Sequence, residues 1–99
     1  MTEINEINRL VKKELEEANK QHPMFHSNHE AYAVILEEVE ETEQALIYLK
    51  ENLKEFWYKV RNDSDTKVEL AMIRVHAIEV AQEAIQVAAM CNKAIDGLR

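Results

Sequence analysis

Glycine and proline are almost missing from this sequence, with one of each in 99 residues. Both residues punctuate chains that turn often, so their scarcity points away from short strands and tight turns and toward a few long elements. The single cysteine excludes an internal disulfide, and no Cys/His spacing of a zinc site is present. Long apolar runs are missing too: none approaches the 18 or so residues of a membrane span, and no signal-like apolar segment opens the chain. The expectation is a soluble, cytoplasmic protein. Positive charge is scarce, with 12 Lys and Arg against 19 Asp and Glu and a net charge of −7. That balance argues against a nucleic-acid backbone or an anionic membrane surface as the main partner. Nucleotides stay open, because a bound cation can hold them.

What is present is abundant Ala, Glu, Leu, Ile and Val, the composition of an almost wholly helical chain. A chain of this length is one domain, 1–99, that buries a modest fraction of its surface, so association with copies of itself is expected. Ile4, Ile7, Leu10, Val11, Leu15 and Ala18 form one apolar stripe at helical spacing, predicting a helix over about Thr2–Gln21. His22-Pro23 ends it, since the residue before proline avoids the helical region. Ser27 and Glu30 then make a capping box, in which each side chain satisfies a backbone N–H at the start of a new helix. From there to about Arg61 nothing interrupts the pattern. Asn62-Asp63-Ser64-Asp65 is the clearest turn, with Asp65 or Ser64 able to cap the next helix. That third helix is predicted over about Thr66–Ile95, closed by Asp96-Gly97 with Gly97 in a left-handed cap. The fold expected is all-α: a short N-terminal helix followed by a long antiparallel helical hairpin.

Within the second helix lies the run Glu37-Glu38-Val39-Glu40-Glu41. A solvated face gains from Glu paired with Lys four residues on, yet Glu37 and Glu38 are followed at that spacing by Glu41 and Thr42. A negative outer face and a divalent-metal site both fit such a run. With the hairpin tip near Asp63–Ser64, Glu41 falls beside Gln86, Gln44 beside Glu83, and Glu38 near Ala89. Glu79, Gln82, Glu83 and Gln86 form a second polar strip, in a helix whose Val87–Cys91 segment is apolar all round and so covered on several sides. Polar groups entering a covered region need partners, and Glu38 and Glu41 would repel Glu83 unless a cation lay between. Oxygen ligands without His or Cys suit Mg²⁺ or Mn²⁺. The Glu-x-x-His of a di-iron bundle is absent. Mg²⁺ on a few carboxylates characteristically shares itself with phosphates, which suggests phosphoryl chemistry on a nucleotide.

The run from Phe25 to Glu41, with Glu83-Ala84-Ile85-Gln86-Val87-Ala88-Ala89-Met90 downstream, resembles phage-type members of the MazG-like family, all-α nucleoside triphosphate pyrophosphohydrolases. The likeness covers roughly residues 10–96. That family's mark is Glu-Glu-x-x-Glu on one helix and Glu-x-x-Asp on the next, together holding Mg²⁺. Glu37, Glu38 and Glu41 match the first half and Glu83 begins the second, while Gln86 stands at the aspartate position. The other register, Glu79-x-x-Gln82, lacks the aspartate as well. The resemblance implies hydrolysis of a nucleoside or deoxynucleoside triphosphate to monophosphate and pyrophosphate, with Glu38, Glu41, Glu83 and Gln86 as metal ligands and Glu37 or Glu38 as base. It also implies a homodimer or homotetramer with a four-helix core. Gln86 keeps a second possibility open, a helical module of the same fold that binds nucleotide or protein without catalysis.

Other residues have two readings each. Tyr32 and His29 are candidates for contact with the substrate's base or phosphates, and His26 and His29 are equally helix-entry residues. Lys93 could reach a phosphate or simply complement the helix dipole. Phe56-Trp57-Tyr58 could stack on a base, though it sits near the tip, where core or oligomer packing is the simpler account. Cys91 reads as a small core residue. Arg74 and His76 read as surface or interface.

Overall fold

The computed structural model describes residues 3–22 and 24–97, and among them are three helices and no strand. The first, α1, spans Ile4–Gln21, the second, α2, Asn28–Arg61, and the third, α3, Lys67–Gly97. α2 and α3 begin within about a residue of their expected starts, while Thr2, the expected start of α1, and Pro23, expected to help end it, lie outside the described residues. α2 runs unbroken for its whole length, as a stretch with no Gly or Pro permits.

The ends have specific chemistry. Ser27 Oγ accepts from the Glu30 N–H at 3.1 Å, and Glu30 Oε1 reaches back to the His26 N–H at 3.3 Å. The capping box is therefore present, with its return bond one residue further upstream than the usual N-cap partner. At the other end of α2, Asp63 N–H donates to Val60 O and Ser64 N–H to Lys59 O. These are the two bonds of a Schellman motif, and they require a left-handed residue at Asp63, whose φ is 50°. Asp65 Oδ1 then accepts from the Lys67 N–H at 3.1 Å and starts α3. The left-handed cap expected at Gly97 is not there: Gly97 is still helical and no glycine has positive φ. Aspartate takes this conformation at the hairpin tip because its short polar side chain tolerates it.

α3 is the central helix, packed on one side by α2 and on another by α1. The buried cluster is Val11 from α1, Phe25 from the linker, Ala31 from α2, and Ala89 and Met90 from α3. Ala89 is fully buried, and small side chains at such points let helix backbones approach closely. This core occupies the end of the hairpin remote from its tip. The tip half is two helices side by side, so the molecule is long, 57 × 27 × 19 Å, with a radius of gyration of 17.2 Å. A compact chain of this length has about 13 Å. Leu46, Leu53 and Val60 on α2, and Val68, Met72 and Val75 on α3, remain exposed along that half. No helix among the described residues is long and apolar enough to cross a membrane.

Candidate functional site

α2 and α3 bring the two acidic strips together. Glu38, Glu41 and Glu83 each offer a carboxylate oxygen, and these oxygens all lie within 4.8 Å of one another. Glu38 and Glu41 share a face of α2 because residues three apart are neighbours on a helix. Glu83 comes from the facing side of α3. Gln86, one turn further along α3, points its amide into the same group. With the nitrogen toward the acids, the orientation its neighbours require, it donates to Glu38 Oε2 at 2.6 Å and to Glu83 Oε2 at 3.1 Å.

The register differs from that of a symmetric tip. Glu41 meets Glu83, where a symmetric tip would put Gln86, and Glu38 meets Gln86, where it would put Ala89. Tyr48 and His76 follow the same offset, their ring centroids 5.5 Å apart. Each α2 residue thus faces a residue about one turn earlier in α3 than a midpoint at Asp63–Ser64 implies. The shift brings three carboxylates and Gln86 into one group.

The electrostatics reflect this crowding. Among the described residues, no Lys, Arg or His forms an ion pair with Glu38, Glu41 or Glu83. Glu38, half-buried, has its carboxyl pushed up from 4.5 to about 7. Burial is the largest cause, followed by the charge on Glu41, the hydrogen bond and charge of Glu83, and the charge on Glu37. Glu41 is raised as well, first through its hydrogen bond with Glu83 and then by desolvation and the charge on Glu83. Crowding of like charge thus holds protons on Glu38 and Glu41 above the usual carboxylate range.

Such a donor set, all oxygen and in negative excess, is the kind that fits Mg²⁺ or Mn²⁺. Glu38, Glu41 and Glu83 could hold one, and turning the Gln86 amide over would present a fourth oxygen. Glu37, one residue before Glu38, is exposed and stands outside the group. A small recess of about 200 Å³ adjoins the acids, lined by Glu41, Gln44, Ala45, Tyr48, Glu79 and Glu83. His76 is not a plain surface residue: its side chain is largely covered, packs on Tyr48, and pairs with Glu79 at 3.2 Å.

The residues expected to touch substrate fall in different places. Tyr32 is 67% exposed and His29 is exposed, and neither lines the recess by the acids or the larger cavity under the α1–α2 linker. Tyr32 precedes Glu41 by nine residues, about half a turn round the helix, so within one chain it points away from the acids. Lys93 is buried instead, and lines that larger cavity, which has a volume of about 680 Å³. It does not complement the C-terminal dipole, for the last turn of α3 carries no basic residue. The clue in the sequence is spacing: Lys93 comes four residues after Ala89 and three after Met90, which places it on the core-facing side. Phe25, in the linker, completes that cavity, and no helical period could have assigned it there. Trp57 and Tyr58 are exposed near the tip, with the Arg61 guanidinium 5.7 Å from the Trp57 ring.

Comparison with models of known protein families, with curated proteins and with solved structures finds no match to this chain.

Proposed function

We propose that this protein hydrolyses nucleoside or deoxynucleoside triphosphates to the monophosphate and pyrophosphate, using Mg²⁺ or Mn²⁺ held by Glu38, Glu41, Glu83 and Gln86. The observation that supports this most is the meeting of three carboxylates from two helices within 4.8 Å, with no cationic side chain paired to them among the described residues. An ion of this kind, when bound, neutralises phosphate oxygens and acidifies water for attack on phosphorus. The chain's own part is to supply the oxygen cradle and a base. Glu37 or Glu38 is the base in this reading: Glu37 is exposed beside the group, and Glu38 titrates near neutrality, where a general base works best. Tyr32 and His29 remain candidates for the base or phosphate of a nucleotide bound between chains, since they face outward in a single one.

In the same reading the protein works in the cytoplasm as a homodimer or homotetramer whose hairpins form a four-helix core. The exposed apolar stripes of α2 and α3 support this, because a chain so elongated leaves too much apolar surface uncovered by itself. The test is incubation with a panel of nucleoside and deoxynucleoside triphosphates plus Mg²⁺, with pyrophosphate and monophosphate measured. Glu41→Gln and Glu83→Gln are expected to slow release by about 100-fold or more, as loss of a ligand to an essential ion does. No pyrophosphate from any substrate, with wild type and variants alike, would end the enzymatic reading.

A second reading is supported by Gln86 itself. A neutral side chain already satisfied by Glu38 and Glu83 makes the acid group self-sufficient, as a non-catalytic module would need. Melting curves separate the two. A module with no metal function melts at the same temperature with and without Mn²⁺.

A further inference from the structure

The larger cavity lies at the opposite end of the core from the hairpin tip, and its chemistry is unlike that of the acids. About 680 Å³ in volume, it is within the range of small-molecule sites, and most of its wall is apolar, with Met24, Phe25, Val34 and Met90 among the contributors. Into it projects Lys93, which keeps only 6% of its exposure. Its ammonium sits 4.7 Å from the centroid of the Phe25 ring and forms no ion pair among the described residues. A ring face offsets the desolvation of an ammonium far less than an anion does. Glu30, the carboxylate in the cavity wall, is turned to the linker, where Oε1 accepts from the His26 N–H. His22 and His26 also line it.

We propose that this cavity binds a small organic anion, a phosphate monoester or carboxylate on an apolar body, with the anion seated on Lys93 Nζ and the body against Met24, Val34 and Met90. Lys93 is buried with no ion-pair partner among the described residues, and the cavity beside its ammonium has room for an anion. The apolar wall selects against free inorganic ions, which gain nothing from it. Lys93 lies seven residues past Gln86, about 10 Å along the axis, on the same side of α3. The two sites are therefore distinct centres of opposite sign. The anion site needs no divalent cation, and it stands whether or not the acids support hydrolysis.

The test is calorimetric titration of the full chain in EDTA with 1-naphthyl phosphate, 1-naphthoate and uncharged 1-naphthol. Either anion is expected to bind saturably below roughly 1 mM and at least about tenfold more tightly than naphthol. The stronger of the two tells whether phosphate or carboxylate is the preferred source. Lys93→Met should remove that preference for charge, and Lys93→Arg should keep it. Independently of any variant, backbone amide shifts on titrating the wild type should concentrate at Ala18, Phe25, Met90 and Lys93. Equal affinity for anions and naphthol, an unchanged preference in Lys93→Met, or shifts centred away from these residues would each overturn the proposal. So would no saturable binding at all, the result expected if a second copy of the chain fills the cavity.

Discussion

The Gln86 amide nitrogen lies 2.6 Å from Glu38 Oε2, joining α3 to α2 through a neutral donor in the middle of an acidic group. The same nitrogen is 3.1 Å from Glu83 Oε2, so one side chain ties together carboxylates from both helices. An aspartate here, as the MazG-like pattern has it, would add a fourth negative charge to a group in which Glu38 already holds its proton to about pH 7. Glutamine offers a donor when no cation is present and, turned over, an acceptor when one is. The amide is thus suited to both states.

That arrangement sets an expectation for Gln86→Glu. Without divalent cations at pH 8 the variant should be less stable than wild type by about 1–3 kcal/mol, because a donor is lost and a like charge is gained. Mn²⁺ should stabilise the variant more than the wild type. Urea unfolding in EDTA and in Mn²⁺ measures both, and equal stability in EDTA would show that the glutamine bridge contributes nothing.

The raised carboxyl of Glu38 gives a pH dependence with a definite sign. Between its unfolded value of 4.5 and its folded value of about 7, the folded chain binds more protons than the unfolded one. Stability from this group is therefore full below about 4.5 and falls as pH rises through 7, opposite to the usual salt-bridged carboxylate. In EDTA, the difference in melting temperature between wild type and Glu38→Gln should shift against the wild type from pH 5 to pH 8. A difference that stays constant would remove the coupling. Added Mg²⁺ at pH 8 should recover part of the loss, since an ion bound to the folded form alone stabilises it.

Asp63 holds the hairpin tip in a left-handed conformation that most side chains resist. Asp63→Val should cost about 1–2 kcal/mol, and Asp63→Asn almost nothing, because a branched Cβ crowds the neighbouring carbonyl in this region. Thermal unfolding of the two variants checks this. Similar losses in both would mean that the carboxylate itself is needed.

The apolar stripes outside the core predict assembly. Sedimentation should find a homodimer or homotetramer, and Leu53→Glu with Met72→Glu should shift it toward monomer. Both positions are exposed in the single chain, Leu53 at 50% and Met72 at 41%, so a charge there harms only a surface that is covered by another copy. A monomeric wild type would contradict the expectation at once.

Much of the fold is legible in the residues. Ser27 with Glu30 announces the start of α2, the Asn62–Asp65 turn marks its end, and the unbroken apolar period between them leaves no other element for that stretch. Local hydrogen bonding and helical spacing decide such features, and both act over four residues or fewer. Gly97 misleads because glycine permits a left-handed cap without demanding one, while Asp63 is placed in that conformation by the bonds of the turn. The two acidic strips are legible as strips, and the hairpin alone implies that they meet.

Which residues of those strips touch is a tertiary matter. A turn of helix is about 5.4 Å, and the geometry of a five-residue connection decides whether Glu41 finds Gln86 or Glu83. The outcome, Glu83, sets the three carboxylates within 4.8 Å of one another. Lys93 is decided the same way. Its spacing puts it on the inner side of α3, but only the arrival of α1 and the Phe25 linker over that side turns an ordinary lysine into a buried cation beside a cavity. The helices, their ends and their charged faces can be read from the residues alone, because they depend on neighbours a few positions away. The structure decided which charges meet and which are left alone, because that depends on where separate helices come to rest against one another.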